Sequence, residues 1–341
     1  MRFCLVGDLM QFDQLRRREF ITLLGGAGVA WPLAARGQQL NVPLVGFLHL
    51  GSPQARTQRL AAFRQGLADN GYIDGHNVAI EYRWAEEQYE RLPGLAADLV
   101  QRQVAVIATP LSTPAALAAK AATSTIPIAF GVTDDPVKLG LVASMNRPGG
   151  NATGVSNFGG GLGPKRLGLL HEALPQSSLI AVLRHPNSPI AESAVAELRT
   201  AAAAVGKTIE VFNARSSEEI DQAFAGLVQR KAGGLIVVPD TVFTTRLIQI
   251  ITQSARHAVP AVFQDREWAQ AGGLMSYGAN AFDIYRQVGV YAGRILKGAQ
   301  PANLPVEQAT KFEFILNLQT AKIFGIEIPP TLSARADEVI E

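Results

Sequence analysis

Gln101-Arg102-Gln103-Val104-Ala105-Val106-Ile107-Ala108-Thr109-Pro110, with Ile126-Pro127-Ile128-Ala129-Phe130 after an intervening helical run, has a second version further along the chain. There Gln229-Arg230 precedes Gly234-Leu235-Ile236-Val237-Val238-Pro239, and Val259-Pro260-Ala261-Val262-Phe263 follows another helical run. Each copy reads as an apolar strand, a proline-bearing loop, a helix and a second apolar strand. Short apolar runs alternating with helices mark parallel sheets covered on both faces. The duplication predicts an α/β fold of two similar lobes.

Outward from this stretch the alternation continues. Upstream, 42–50 and 78–82 read as strands, with helices over 54–70 and 88–103. Leu60, Phe63 and Leu67 share a face of the first helix and Gly71 closes it. The first copy itself gives strand 104–108, helix 114–122 and strand 126–130. Past Asn157 the pattern restarts with helix 163–173, strand 179–183, helix 189–205, strand 208–212, helix 217–229, strand 234–238, helix 242–257 and strand 260–263. The tail has strands at 274–277 and 312–316 and helices at 282–296 and 318–324. These elements are too few to bury a core of their own, so they complete the two sheets already begun. The chain then crosses between lobes several times, making a hinge over a cleft. The expected lobes are 38–156 with 278–311, and 157–277 with 312–341.

The 341 residues are 48% hydrophobic and 18% charged, ample for a large core. Lys plus Arg (31) nearly balances Asp plus Glu (29), which argues against a nucleic-acid partner. One cysteine excludes an intramolecular disulfide framework and a thiolate zinc site, and the five scattered histidines lack ligand spacing. No apolar run reaches the roughly 18 residues of a membrane-spanning helix.

Residues 1–37 read as a twin-arginine-type export signal. Arg16-Arg17-Arg18-Glu19-Phe20-Ile21 supplies the basic segment, Ile21–Ala30 a short apolar one, and Ala34-Ala35-Arg36-Gly37 a small-residue cleavage region. The glycines at 25, 26 and 28 make this a poor helix to pack as core. Removal of the segment leaves 26 charges of each sign and no cysteine, in keeping with a periplasmic location. Met10 is the expected start of the precursor, because such signals have a short leader.

Ligands of parallel α/β sheets sit beyond the carboxyl ends of the strands. Reading each strand end gives the ligand-binding candidates Ser52, Thr109, Pro110, Ser112, Thr113, Thr133, Asp134, Asn157, Asn187, Asp240, Asp265 and Tyr277. Ser112, Thr113, Asp135 and Asp240 serve equally well as helix N-caps, and Tyr277 as plain interface packing. Pro148-Gly149-Gly150-Asn151 is a turn, and Phe158-Gly159-Gly160-Gly161 a flexible join. Catalytic motifs are missing: the first strand lacks Gly-x-Gly-x-x-Gly, and no Walker loop or Gly-x-Ser-x-Gly elbow occurs. No cofactor, metal or catalytic residue is therefore expected. Hydroxyls, one or two carboxylates, an arginine and an aromatic suit a small zwitterion, with the carboxylate on N–H and hydroxyl donors and the ammonium on an Asp.

Phe-Arg-Gln-Gly-Leu (63–67), Asn-Gly-Tyr (70–72), Asn-Val-Ala-Ile-Glu-Tyr-Arg (77–83), Asp-Pro-Val (135–137), Gly-Leu-Val-Ala-Ser (140–144), Arg-Pro-Gly-Gly-Asn-Ala-Thr-Gly (147–154) and Arg-Arg-Glu-Phe (17–20) carry a resemblance along the whole chain. It resembles the substrate-binding proteins of ABC importers, the family that includes tryptophan- and tyrosine-binding proteins. The resemblance implies a type 1 periplasmic-binding-protein fold: two Rossmann-like lobes with parallel sheets, joined by three hinge strands. It also implies a monomer without catalysis that delivers a small solute, with an aromatic amino acid as leading choice, to a membrane permease and its ATPase. Ligand contacts would fall on Thr109, Thr133, Asp134 and Asp240. Two other classes share such a cleft: a sensor that presents its solute to a receptor, and an exported enzyme using Asp134 or His185.

Overall fold

The computed structural model describes residues 42–54, 57–157 and 162–341. The chain divides into two compact units, Met1–Val42 and Pro43–Glu341. Apart from Val42, the first unit lies outside the described residues, and so do the expected export signal and the join at 158–161.

The second unit is built on two sheets. β1 (Leu44–His49), β2 (Ala79–Trp84), β3 (Val106–Thr109), β4 (Ile128–Val132) and β5 (Ala152–Ser156) lie in the first. β6 (Leu179–Arg184), β7 (Thr208–Asn213), β8 (Gly234–Val237), β9 (Ala261–Phe263) and β10 (Met275–Ala279) lie in the second. The chain then returns to the first sheet with β11 (Glu307–Gln308) and to the second with β12 (Phe312–Asn317) and β13 (Glu338–Ile340). The strand orders are β11-β5-β4-β3-β1-β2 and β13-β12-β10-β9-β8-β6-β7.

Helices cover both faces of each sheet, as the near-continuous apolar strands require. In the first lobe, α1 (Thr57–Ala68), α2 (Leu92–Gln101) and α3 (Thr113–Ala122) follow β1, β2 and β3. In the second, α4 (Leu162–Ala173), α5 (Ala191–Ala204), α6 (Ser217–Gln229), α7 (Thr241–Thr245), α8 (Leu247–Arg256) and α9 (Arg266–Gln270) alternate with the strands. α10 (Ala281–Leu296) crosses back, and α11 (Leu318–Ile323) and α12 (Pro330–Ser333) finish the chain.

Strand alternation splits each core in two. Phe47 packs in one cluster with Phe63, Tyr285 and Tyr291, whereas its neighbour Leu48 joins Leu99, Ile107 and Phe130 on the opposite face. Val182 and Leu183 divide likewise between a cluster with Leu167, Leu198 and Phe314 and one with Phe224, Phe243 and Trp268. α10 belongs to the first lobe because α1 meets it backbone to backbone. A Cβ on Gly66 would strike the Arg286 carbonyl, and one on Gly289 the Phe63 carbonyl, so this crossing admits only glycine. That crossing fixes α1, whose first turn carries Arg59.

Several elements depart from the sequence reading, which has no counterpart for β11, β13 or α12. β12 runs antiparallel to β10, with Phe312 opposite Ala279, where wholly parallel sheets were expected. The reason is the hinge: β10 leaves the second lobe at the end where β12 re-enters it, so the two strands must run in opposite directions. The single helix expected over 242–257 is two, α7 and α8. Thr244 and Thr245 hydroxyls donate back to the Asp240 and Thr241 carbonyls at 3.0 and 3.1 Å, the local competition that bends helices. β5 reads as polar in sequence yet is fully buried; the Thr153 hydroxyl donates to the Leu304 carbonyl at 2.6 Å. α9 is an unexpected short helix behind Asp265.

Candidate functional site

The carboxyl ends of β3, β4 and β5 face those of β6, β8 and β9 across a cavity of about 120 Å³. Since about 10–15 Å³ on the same measure holds one water, a small solute fits. Of the sequence candidates, Thr113, Thr133, Asp134 and Asn157 line it from the first lobe, and Asp240 and Asp265 from the second. Its walls also include Leu111, Ile190, Leu198 and Val238.

Six candidates stand elsewhere. The Ser112 hydroxyl accepts the Leu50 N–H at 3.2 Å, a structural tie between loops. Thr109 is fully buried at the end of β3, its hydroxyl without a partner among the described residues. Pro110 is buried beside it, Ser52 is half-buried, and Asn187 is exposed, its N–H donated to His185 Nδ1 at 3.2 Å. The Tyr277 hydroxyl accepts from Lys165 Nζ at 3.1 Å and its ring stacks on Phe312. It therefore packs on α4 and β12 within the second lobe and is not among the cavity residues.

Capping and cavity lining coincide at Asp240. Its Oδ1 accepts the Val242 N–H at 2.9 Å, capping α7, while Oδ2 accepts the Tyr89 hydroxyl of the other lobe at 2.6 Å. Burial pushes this carboxyl above its ordinary range, and Tyr89, carrying the hydrogen bond, opposes the rise. Burial and the neighbouring Asp240 charge hold the Tyr89 phenol protonated well past its usual pKa. The His185 ring stacks on Tyr89 at 4.7 Å, and burial holds its pKa below the usual 6.5. Asp134 accepts the Asp135 N–H at 2.7 Å and the Ser193 hydroxyl from the second lobe at 3.3 Å.

Sequence reasoning missed the two arginines of the site. Arg59, in the first turn of α1, reaches across to Asp265 at 3.2 Å and to Glu267. Burial works against its charge, but Asp265 and Glu267 more than offset that and raise its pKa. Arg166 of α4 lines the cavity and is 4% exposed. Its Nε donates to the Tyr277 carbonyl at 2.8 Å. Burial pulls its pKa down to about 10, with Asp265 offsetting only part. Both arginines follow a strand-end loop by one helical turn, and extending the strand-end search into the first turn of each helix would have found them. A further ion pair, Arg246 to Glu87 at 3.2 Å, crosses the seam beside Tyr89.

Among the described residues no cluster of three or more His, Cys, Asp or Glu is placed to hold a metal, and no helix is long and apolar enough to cross a membrane.

A two-lobed fold with a cavity between the strand ends of its lobes, apolar with a few charged groups, defines a class of proteins that capture small solutes between domains. The chain belongs to the ABC transporter substrate binding protein family, whose model matches residues 45–340. It is 27% identical over 266 residues to the tyrosine-binding protein of Clostridioides difficile strain R20291, covering 78% of this chain and 76% of that one. Among solved structures it is similar to an ABC domain of Streptococcus pneumonia in complex with L-Trp, with TM-score 0.79, 25% identity and coverage of 87% of this chain and 99% of that one. It is also similar to the ligand-free, open structure of a substrate binding protein with adhesive properties from Clostridium difficile. There the TM-score is 0.62 at 25% identity, covering 88% and 99%.

Proposed function

We propose that this chain is the exported, periplasmic solute-binding component of an ABC importer. It binds one amino acid, with an aromatic one favoured, by closure of its lobes, and hands it unaltered to a membrane permease. The observation that carries this reading is the interlobe cavity, bridged by Arg59–Asp265 on one side and Tyr89–Asp240 on the other. Two relatives point to the solute, a tyrosine-binding protein and an L-Trp complex. At equal identity, the arrangement is nearer the L-Trp complex than the open, ligand-free neighbour, in keeping with a closed form.

Closure follows from differential affinity: a ligand shifts the equilibrium only as far as it binds the closed form more tightly than the open one. Moving from mostly open to mostly closed takes about 5.5 kcal/mol. A micromolar site supplies about 8 kcal/mol, so a handful of hydrogen bonds and an enclosed side chain suffice. The protein acts as a monomer, with lobes hinged near 157, 278 and 312, and residues 1–37 direct its export. No residue transforms the solute.

The test is a thermal-shift screen of L-tyrosine, L-tryptophan and the other amino acids, followed by recovery of the bound compound. A ligand at 100 times its dissociation constant adds about 2.7 kcal/mol to stability. A shift with an aromatic amino acid recovered intact supports the reading. A flat screen, or recovery of a product, overturns it.

A further inference from the structure

Among the described residues the seam leaves one charge without a contact ion pair, although the Asp265 charge lies near enough to act on it. Asp265 takes Arg59 and Asp240 takes the Tyr89 hydroxyl, both from the opposite lobe. Arg166, on the same wall and 4% exposed, keeps only the neutral Tyr277 carbonyl, and its two Nη groups make no hydrogen bond among the described residues. A buried guanidinium presents a planar fork suited to a carboxylate and is costly to leave unpaired. Two further groups on the cavity have no hydrogen-bond partner among the described residues: the side-chain oxygens of Asn157 and Gln264, in residues 7% and 6% exposed. Buried acceptors without donors point to an absent donor-bearing group. Asp134 adds a carboxylate on the same cavity, which accepts a backbone N–H and a hydroxyl.

We propose that Arg166 receives the α-carboxylate of the ligand, while the unpaired oxygens of Asn157 and Gln264 and the Asp134 carboxylate face its ammonium. This rests on the amino-acid reading above and deepens it: the protein recognises the zwitterionic backbone through Arg166 and leaves the side chain to the aliphatic walls. Arg166 is a binding residue in this scheme, supplied by the second lobe, and the ligand completes the electrostatics that Arg59 and Tyr89 complete elsewhere along the seam.

Calorimetric titration of the full protein with L-tyrosine, L-tyrosinamide and tyramine tests it, L-tryptophan and its amide replacing them if tryptophan is the tighter ligand. The wild type is expected to bind the amino acid about 100-fold more tightly than its amide, equivalent to ~2.7 kcal/mol. Arg166→Gln should lose most of that factor for the amino acid and little for the amide, so that the ratio collapses. Arg166→Lys, which keeps the charge, should retain part of it. Circular dichroism checks the folding of both variants, and the wild-type ratio stands as evidence if neither folds. Equal affinity of the wild type for acid and amide, or an unchanged ratio in Arg166→Gln, overturns the assignment while the amino-acid reading stands. Failure of the wild type to bind any amino acid removes both.

Discussion

In the loops that follow β3 and β4 on the first-lobe wall of the cleft, hydrogen bonds are made partly at home. Thr113 accepts the Thr133 N–H and Asp134 accepts the Asp135 N–H, and both Thr133 and Asp134 remain half-exposed. On the second-lobe wall, Arg166 and Asp265 are buried and Asp240 is half-buried, and the two carboxylates find their strongest partners across the gap. The second wall therefore stays electrostatically incomplete until the first arrives. A charge buried on closure but hydrated on opening places its penalty on the closed state alone. Under the proposed closure, the equilibrium between open and closed would depend on a few named contacts rather than on the cores of the lobes.

The largest expected break in this asymmetry comes from Arg59→Met. Removing one partner of a buried ion pair costs about 3–5 kcal/mol when the other cannot escape. Asp265 escapes by opening, so the loss should fall on closure. Ligand affinity drops by about 100-fold or more, whereas the melting temperature of the ligand-free protein moves little. A large fall in that melting temperature with unchanged affinity would place the pair in the fold rather than in closure.

Tyr89→Phe is a finer probe of the same idea. It removes the hydroxyl donated to Asp240 while leaving the ring on His185. Hydrogen bonds to charged groups contribute about 1.5–3 kcal/mol, and water can replace part of this at a half-buried carboxylate. Affinity measured by titration should fall about tenfold. An Asp240→Ala variant should weaken binding too, and an unchanged affinity there would reduce Asp240 to a helix cap.

The smallest effect is on pH. The folded protein holds the His185 pKa below its unfolded value, so the unfolded chain binds more protons as pH falls through about 6.5. Stability from this group is present above about pH 6.5 and declines below it. Thermal melts from pH 7.5 to 5.5 should fall more steeply for the wild type than for His185→Gln. Parallel slopes would remove His185 from the account.

The two-lobed α/β order was legible because the duplicated strand–loop–helix–strand pattern is local and apolar. β5 was not, because Thr153, Gly154 and Ser156 satisfy a strand only through β4, Leu304 and their neighbours far along the chain. At the site, strand-end reading reached Thr113, Thr133, Asp134, Asn157, Asp240 and Asp265, all on the cavity. It missed Arg59 and Arg166 because an arginine in a helical run looks like a solvated residue. Arg59 meets its carboxylate 206 residues away, a distance only the folded arrangement closes.

Small-angle X-ray scattering of the ligand-free protein, before and after addition of saturating L-tyrosine or L-tryptophan, tests the clamp most directly. Clamping predicts a smaller radius of gyration with ligand, and a blunted contraction in Arg59→Met. A bound amino acid that leaves the scattering curve unchanged would contradict it.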